Sequence, residues 1–241
     1  MLSRRNLLAA CLGLITAIAC AQLGRWQLRR LAERRQRNAL VVARMASPAL
    51  GVGGVSATAG VQRFRRMRVS GRFDFDHDIA LTGRARQGAP GVNIITPLRP
   101  EDGGPAVLVN RGWVYSPDAA SVEFARWQEP EQATVEGYVE ALESPPAASD
   151  HSRLAARSWR RLDRSMVTSL PYPAAPYLVV ALTPPSGEAH SPQRLAPPPL
   201  DEGSHQSYAV QWFSFAVIAL VGAGILIRQD LERQRRDGSV G

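Results

Sequence analysis

The sequence predicts a membrane protein of the α+β class, in which two transmembrane helices flank a mainly antiparallel β domain with one short helix. An uncharged apolar run lies near each end of the 241-residue chain, and each run is long enough to cross a hydrocarbon core of about 30 Å. Between the runs, short stretches of alternating apolar and polar residues recur at the spacing of antiparallel strands. The predicted segments are a first transmembrane helix (7–24), a basic helix at the membrane exit (25–44), a flexible linker (45–62), a soluble β-rich domain (63–183), a proline-rich tether (184–204), a second transmembrane helix (205–227) and a basic cytoplasmic tail (228–241).

The first apolar run leaves three interpretations open. With 17 residues from Leu7 to Leu23, it has about the minimum length for a retained membrane helix. The small residues Ala17-Ile18-Ala19 before Cys20 also fit a signal-peptidase or lipoprotein site, and Arg4-Arg5 fits a twin-arginine export signal. We favour retention, because the basic residues that follow then stay at the membrane boundary.

The basic residues and the cysteines exclude several functions. All 29 basic residues are arginine, so Schiff-base chemistry on lysine is excluded. Residues 1–44 contain nine arginines and one acid, a surplus of eight that equals the net charge of +8. Beside an apolar run, such charge indicates anionic lipid headgroups and not nucleic acid. Cys11 and Cys20 are nine residues apart on one predicted helix, too far to form a disulfide.

The central region predicts a sheet or a partly closed barrel with one short helix. Residues 101–104 (Glu-Asp-Gly-Gly) have the composition of a hairpin turn. Asp163 could cap a helix that runs to about Leu170, before Pro171. The predicted strands are 66–75, 79–84, 92–98, 106–115, 133–142 and 177–183.

The second apolar run carries polar and aromatic residues in its first two turns. His205 and Trp212 are seven residues apart, which places them on one face of a helix. A histidine at the membrane surface with a tryptophan two turns deeper could receive a flat, mostly apolar ligand with a metal at its centre. Alternatively, Trp212 and Tyr208 are interface anchors and His205 is a surface residue.

Two motifs in the β-rich region have both a structural and a functional interpretation. Arg111-Gly112-Trp113 is by default a solvated arginine, a bulge-tolerant glycine and a packed tryptophan; the alternative is a partner-binding site. His77 lies among Asp74, Asp76 and Asp78, a pattern of a solvated turn or of a metal site. The sequence contains no nucleophile elbow, P-loop or HExxH motif, so we do not expect an enzyme.

Taken in order, these pieces resemble the surfeit locus protein 1 family of cytochrome c oxidase assembly factors. The likeness covers nearly the whole chain. Arg34 stands where the family has lysine, and Gly203-Ser204 stand where it has an asparagine before the histidine. The motifs are Gly24-x-Trp26-Gln27-x-x-Arg30-x-x-x-Arg34, Val69-Ser70-Gly71-Arg72-Phe73, Gly91 with Thr96-Pro97-Leu98, Val107 to Val114 with Asn110-Arg111-Gly112-Trp113, and His205-x-x-Tyr208-Ala209-x-x-Trp212-x-x-Phe215-Ala216.

The resemblance implies a multi-pass protein of the bacterial plasma (inner) membrane, with both termini cytoplasmic and the β domain periplasmic. It implies a role in maturing the haem a-containing catalytic subunit of the oxidase, with haem a synthase as a further candidate partner. The alternative is a membrane-tethered periplasmic interaction module without cofactor. Two acids before the second helix and four arginines after it agree with this orientation.

The resemblance also implies a haem a site at the membrane surface. In the family, the residues that match His205 and Trp212 are thought to bind haem, with His205 as axial ligand of the iron. If both termini are cytoplasmic, the end of the first helix meets the start of the second. We therefore expect Trp26, Arg30, Arg34 and Tyr208 to complete the site, with arginines near the haem propionates.

Overall fold

The computed structural model describes residues 4–54, 62–143, 153–182 and 191–237. By its contacts the chain divides into two units. One contains the residues up to 40 together with those from 200 onward, and we call it the helix pair. The other contains residues 41–199, and we call it the β domain.

The helix pair is built from two long helices, α1 (Arg4–Ala46) and α3 (His205–Asp237). The predicted first transmembrane helix and the predicted basic helix are therefore one continuous helix, because no proline interrupts them and Gly24 is tolerated within the turns. Each helix contains a stretch long and apolar enough to cross a membrane. Many of their leucine, isoleucine and valine side chains are exposed in the chain alone, as in helices that a bilayer surrounds.

Small side chains allow α1 and α3 to approach each other closely. A side chain added at Gly13 would meet Ala219 and Ala223, and one added at Gly24 would meet the ring of Phe213. Close packing of this kind is typical of membrane helices, where backbones approach at small residues. Between residues 13 and 31, the buried residues of α1 recur every three or four positions and are Gly13, Ala17, Cys20, Gly24, Gln27 and Leu31.

The β domain contains the six predicted strands and two short ones that the prediction missed. A single turn of helix, α2 (Ser165–Thr168), has Arg164 at its N-cap position, and the carboxylate of Asp163, one residue earlier, accepts a 2.7 Å hydrogen bond from the Ser165 N–H. The strands are β1 (Arg66–Phe73), β2 (Ile79–Arg86), β3 (Ala89–Pro100), β4 (Ala106–Tyr115), β5 (Gln132–Ala141), β6 (Arg153–Ala155), β7 (Ser158–Trp159) and β8 (Ala174–Ala181).

Five of these strands close into a barrel. The strand order is β1-β5-β8-β4-β3-β2-β7-β6, and β1 also pairs with β3, which joins the first strand to the fifth. The partly closed barrel is thus the correct one of the two predicted forms. Most pairings are antiparallel, but β4 pairs with β8, and β2 with β7, in parallel.

The β domain packs apolar side chains on both faces of its central strands. Along β4, Val107 and Val109 join one cluster with Met67 of β1, whereas Leu108 joins a second. The second cluster includes Val41 from the end of α1, which covers the outer face of the barrel. Burial on both faces explains why β4 is apolar almost throughout instead of alternating.

Parts of the predicted linker and tether lie against the strands. Leu50, in the predicted linker, pairs with Met67 of β1, and a short 3₁₀ helix follows at Val52–Gly54. In the predicted tether, Gln193 exchanges two 2.8 Å main-chain hydrogen bonds with Trp113 of β4. The remainder of the linker (55–61) and the first part of the tether (184–190) lie outside the described residues.

Candidate functional site at the start of the second long helix

His205, the first residue of α3, forms a side-chain hydrogen bond with Gln27 of α1. The His205 Nδ1 and the Gln27 Oε1 are 2.8 Å apart. Gln27 is only 9% exposed and lies on the same buried stripe of α1 as Gly24. An amide oxygen only accepts hydrogen bonds, so with Gln27 Oε1 facing the ring Nδ1 is the donor. In the neutral ring Nε2 is then the nitrogen with the lone pair that can accept a hydrogen bond or bind a metal.

Trp212 lies on the same face of α3 as His205, as the seven-residue spacing predicts. His205 and Ala209 are less exposed than both of their sequence neighbours, and Trp212 is partly buried, as is Phe213. The indole of Trp212 meets the ring of Phe215 edge-on, with centroids 5.9 Å apart. An imidazole and an aromatic wall thus follow one helical stripe, two turns apart.

The other predicted haem-site residues do not converge on His205 in this structure. Trp26 is 51% exposed and Tyr208 is 48% exposed. Arg30 pairs with Glu33 of its own helix at 2.6 Å. Arg34 is 3.8 Å from Asp201. These side chains lie at the same end of the helix pair as His205, but a ligand that contacts all of them requires rotamer changes.

Two contacts that the sequence reasoning missed fix the start of α3 to α1. The guanidinium of Arg35 forms a two-pronged ion pair with Glu202, both N···O distances being 2.9 Å. The hydrogen bond from Arg35 lowers the pKa of Glu202. Asn38 donates to the main-chain oxygen of Leu200 at 2.9 Å. The sequence analysis used the two acids before α3, Asp201 and Glu202, only to predict the orientation in the membrane. The same acids could have indicated ion pairs with arginines of α1.

The chemistry available at this site is one imidazole nitrogen with an orienting partner, beside several arginines. The described residues contain no group of three or more His, Cys, Asp or Glu side chains that could hold a metal ion. A bare ion would therefore lack protein ligands here. A haem, whose macrocycle supplies four nitrogens, requires only one or two axial ligands from the protein. The donor set fits a haem better than a free ion.

A second polar cluster lies inside the β domain around Arg111. Ile94 pairs with Gly112 and Ile95 pairs with Asn110, so Arg111 is the extra residue of a β-bulge. A bulge redirects a side chain, and here it buries the guanidinium completely, at 0% exposure. The expected solvated arginine is therefore wrong.

The buried guanidinium of Arg111 lies between two carboxylates. It is 3.6 Å from Asp78 and 3.6 Å from Glu129, and its Nε donates to the hydroxyl of Thr96 at 2.7 Å. Thr96 in turn donates to Asp78. Glu129 also accepts a fork from Arg194 at 2.8 and 3.0 Å. Burial raises the pKa of Asp78 to about 6, against the lowering effect of Arg111.

Gly112 and Trp113 take structural positions beside this cluster. Gly112 has φ +134°, and a Cβ there would collide with the carbonyl of Gln193. Trp113 is buried and donates its indole N–H to the carbonyl of Arg84 at 3.3 Å. The bulge-tolerant glycine and the packed tryptophan are confirmed. The partner-binding role of Arg111, Gly112 and Trp113 stays a prediction, and Arg111 has no exposed surface in this structure.

The acidic segment around His77 is only in part the solvated turn that we expected, because Phe75–His77 form a 3₁₀ turn in which Asp76 is exposed. Asp78 is buried beside Arg111. Asp74 accepts hydrogen bonds from the Tyr172 hydroxyl at 2.7 Å and from His77 Nδ1 at 3.0 Å. Asp74 and His77 therefore belong to one hydrogen-bond network and Asp78 to another, whereas Asp76 is exposed.

The chain is similar to known proteins over most of its length. The SURF1 family profile matches residues 14–217, a range that contains Gln27, Arg111, His205 and Trp212. A SURF1-like protein from Monosiga brevicollis is 27% identical over 211 residues, which cover 82% of this chain and 79% of that protein. Uncharacterized SURF1-like proteins from Mycobacterium bovis and Mycobacterium tuberculosis are 26% identical over 178 residues. The match covers 73% of this chain but only 64% of each mycobacterial protein.

Proposed function

This chain belongs to the SURF1 family, and from that membership we propose that it is an assembly factor for cytochrome c oxidase that helps to deliver haem a to the catalytic subunit. Its role is to bind and hand over a cofactor, without catalysing a reaction. Its partners are the oxidase catalytic subunit and, upstream, haem a synthase. It resides in the bacterial inner membrane with both termini cytoplasmic and the β domain periplasmic.

The hydrogen bond between His205 and Gln27 is the observation that carries this proposal. Histidines that bind metal usually donate their second ring N–H to an oxygen acceptor, which fixes the tautomer and the ring orientation. Gln27 supplies such an oxygen at 2.8 Å.

Each residue of the site has a definite part in this proposal. His205 would hold haem a through Nε2, and the haem would supply the iron that this nitrogen binds. Trp212, on the same face of α3, covers part of the apolar ring. Arg34 is paired with Asp201 only loosely, at 3.8 Å, so its guanidinium can turn to a propionate. A single strong protein ligand suits a carrier, because the cargo must leave.

The first experiment is an absorbance spectrum of the protein purified from cells that make haem a. We expect a haem spectrum for the parent, and a spectrum shifted or lost in His205→Ala. Gln206→Ala is the matched control, because Gln206 is exposed and adjacent to His205. Gln27→Leu should retain His205 but lower haem affinity about 10- to 100-fold, as loss of an orienting partner does at metal sites.

The outcomes separate the two functional interpretations. If His205→Ala and the parent carry the same haem spectrum, His205 is not the ligand. If the parent is colourless and still supports oxidase assembly, the protein is a cofactor-free interaction module.

A further inference from the structure

The β domain contains a cavity of about 360 Å³ that the haem proposal does not use. It is lined by Arg84 and Arg86 of β2, Asn93 of β3, Trp113 of β4 and Leu195 of the following segment. Its volume lies within the range of small-ligand sites, about 300–1,000 Å³. It therefore has room for one amino-acid residue or a molecule of that size.

Two arginines give this cavity positive charge. Arg84 donates to the main-chain carbonyl of Arg160 and Arg86 to that of Arg194, each at 3.0 Å. Among the described residues, no carboxylate lies within the 4.0 Å ion-pair distance of either guanidinium. Burial lowers the pKa of Arg84, which shows that its charge is partly removed from water. An anion in the cavity would relieve that cost.

Asn93 adds a buried acceptor without a partner. The residue is 6% exposed, and its Oδ1 forms no hydrogen bond with any described part of the chain. An unsatisfied buried carbonyl oxygen costs about 1–3 kcal/mol. The amide can turn about its broad terminal torsion, so a ligand N–H at the cavity wall can satisfy it.

The remaining wall of the cavity is apolar. The indole N–H of Trp113 is already donated to the Arg84 carbonyl, so its ring offers an apolar surface. Leu195 adds an aliphatic side chain. The cavity thus combines two cations, one acceptor for an N–H donor, and an apolar surface.

We propose that this cavity binds an acidic residue of a partner polypeptide. The carboxylate lies between Arg84 and Arg86, and a main-chain N–H of the same segment satisfies Asn93. A phosphate or a simple carboxylic acid supplies the negative charge but no N–H donor. A glutamate or aspartate within a peptide supplies both, together with aliphatic carbon for Trp113 and Leu195.

Calorimetric titration of the full chain in detergent micelles at low salt tests this site. The probe is a glutamate blocked at both ends by acetyl and methylamide groups, compared with the equally blocked glutamine and with acetate. We expect the blocked glutamate to bind at least tenfold more tightly than either. Arg84→Gln and Arg86→Gln should each weaken it at least tenfold. The control Arg72→Gln, an exposed arginine already paired with Glu131, should change the affinity less than twofold.

Three results would overturn the proposal. Equal binding of the blocked glutamate and glutamine would show that the carboxylate is not recognised. If acetate binds as tightly as the blocked glutamate, the cavity recognises only a carboxylate and not a residue of a polypeptide. Absence of binding at millimolar probe, in a protein whose urea unfolding is normal, would show that the cavity is not a site. The test uses no haem, so its result is independent of the proposed function.

Discussion

Replacing Arg111 with methionine should destabilise the β domain strongly, because it removes the only described cation near Asp78 within ion-pair distance. The guanidinium and both of its carboxylate partners are buried. Methionine retains much of the side-chain volume, so the loss of stability reflects the missing charge and not a new cavity. Loss of one partner from a buried ion pair costs about 3–5 kcal/mol.

The structure places the expected loss near the lower end of that range. Glu129 keeps the fork from Arg194 at 2.8 and 3.0 Å, so only Asp78 loses its main partner. Asp78 can also take up a proton, because burial already raises its pKa to about 6. We therefore expect about 3 kcal/mol for Arg111→Met, a large part of the 5–15 kcal/mol typical of a domain.

Urea unfolding of the full chain in detergent micelles, followed by tryptophan fluorescence, measures this loss. Trp113, Trp127 and Trp159 all lie in the β domain. With a slope of about 1–3 kcal/mol per molar urea, a loss of 3 kcal/mol lowers the midpoint by roughly 1–3 M. The control is Arg72→Met, whose side chain is 68% exposed and pairs with Glu131; it should cost less than about 1 kcal/mol.

Equal losses in the two variants would refute the reasoning, because buried and exposed ion pairs would then contribute alike. If Arg111→Met does not fold, Arg111→Lys is the second variant. Lysine keeps the charge but loses the planar fork, so it should fold and be less stable than the parent. A lysine variant as stable as the parent would show that the guanidinium geometry does not matter.

Three further predictions concern Asp78, the bulge glycine and the orientation in the membrane. The pKa of Asp78 rises from 3.8 to about 6 on folding, so the folded state holds this proton more tightly, and the contribution of Asp78 to stability should be full below about pH 4 and fall by up to about 3 kcal/mol as the pH rises through 6. The difference in stability between the parent and Asp78→Asn, measured by unfolding across that range, should show this pH dependence. Gly112→Ala places a Cβ against the Gln193 carbonyl at φ +134° and should cost more than about 1 kcal/mol; a neutral result in the urea assay would contradict the close approach. A reporter that functions only in the cytoplasm should be active when it is fused after Gly241. Activity of a periplasm-specific reporter at that position would contradict the proposed orientation.

The sequence predicted the strands well because most of them are bounded by turn residues and carry apolar runs. The predicted and observed ranges of β4 are identical, 106–115. The two short strands were missed because β6 and β7 have three and two residues, too few for any periodicity. The parallel pairing of β4 with β8 was not predictable either, since strand order depends on contacts far apart in the chain.

The candidate site was predictable along one helix but not across two. The spacing of His205 and Trp212 fixes their common face. Which residue of α1 meets His205 depends on how the two helices pack, and the small residues Gly13 and Gly24 determine that. The prediction chose Trp26, whereas its neighbour Gln27 forms the contact. Arg111 was misjudged for a related reason, because a bulge reverses the side that strand alternation predicts.

The most direct test of the proposed function is the haem a content of cytochrome c oxidase in a bacterium that lacks its own copy of this protein. Membranes are compared after the parent chain, His205→Ala or Gln206→Ala is returned, and haem a is measured per oxidase catalytic subunit. We expect the parent and Gln206→Ala to restore the content and His205→Ala to leave it low while still inserting in the membrane. A parent chain that does not raise the haem a content would contradict the assembly role, and a fully active His205→Ala would contradict haem transfer through this histidine.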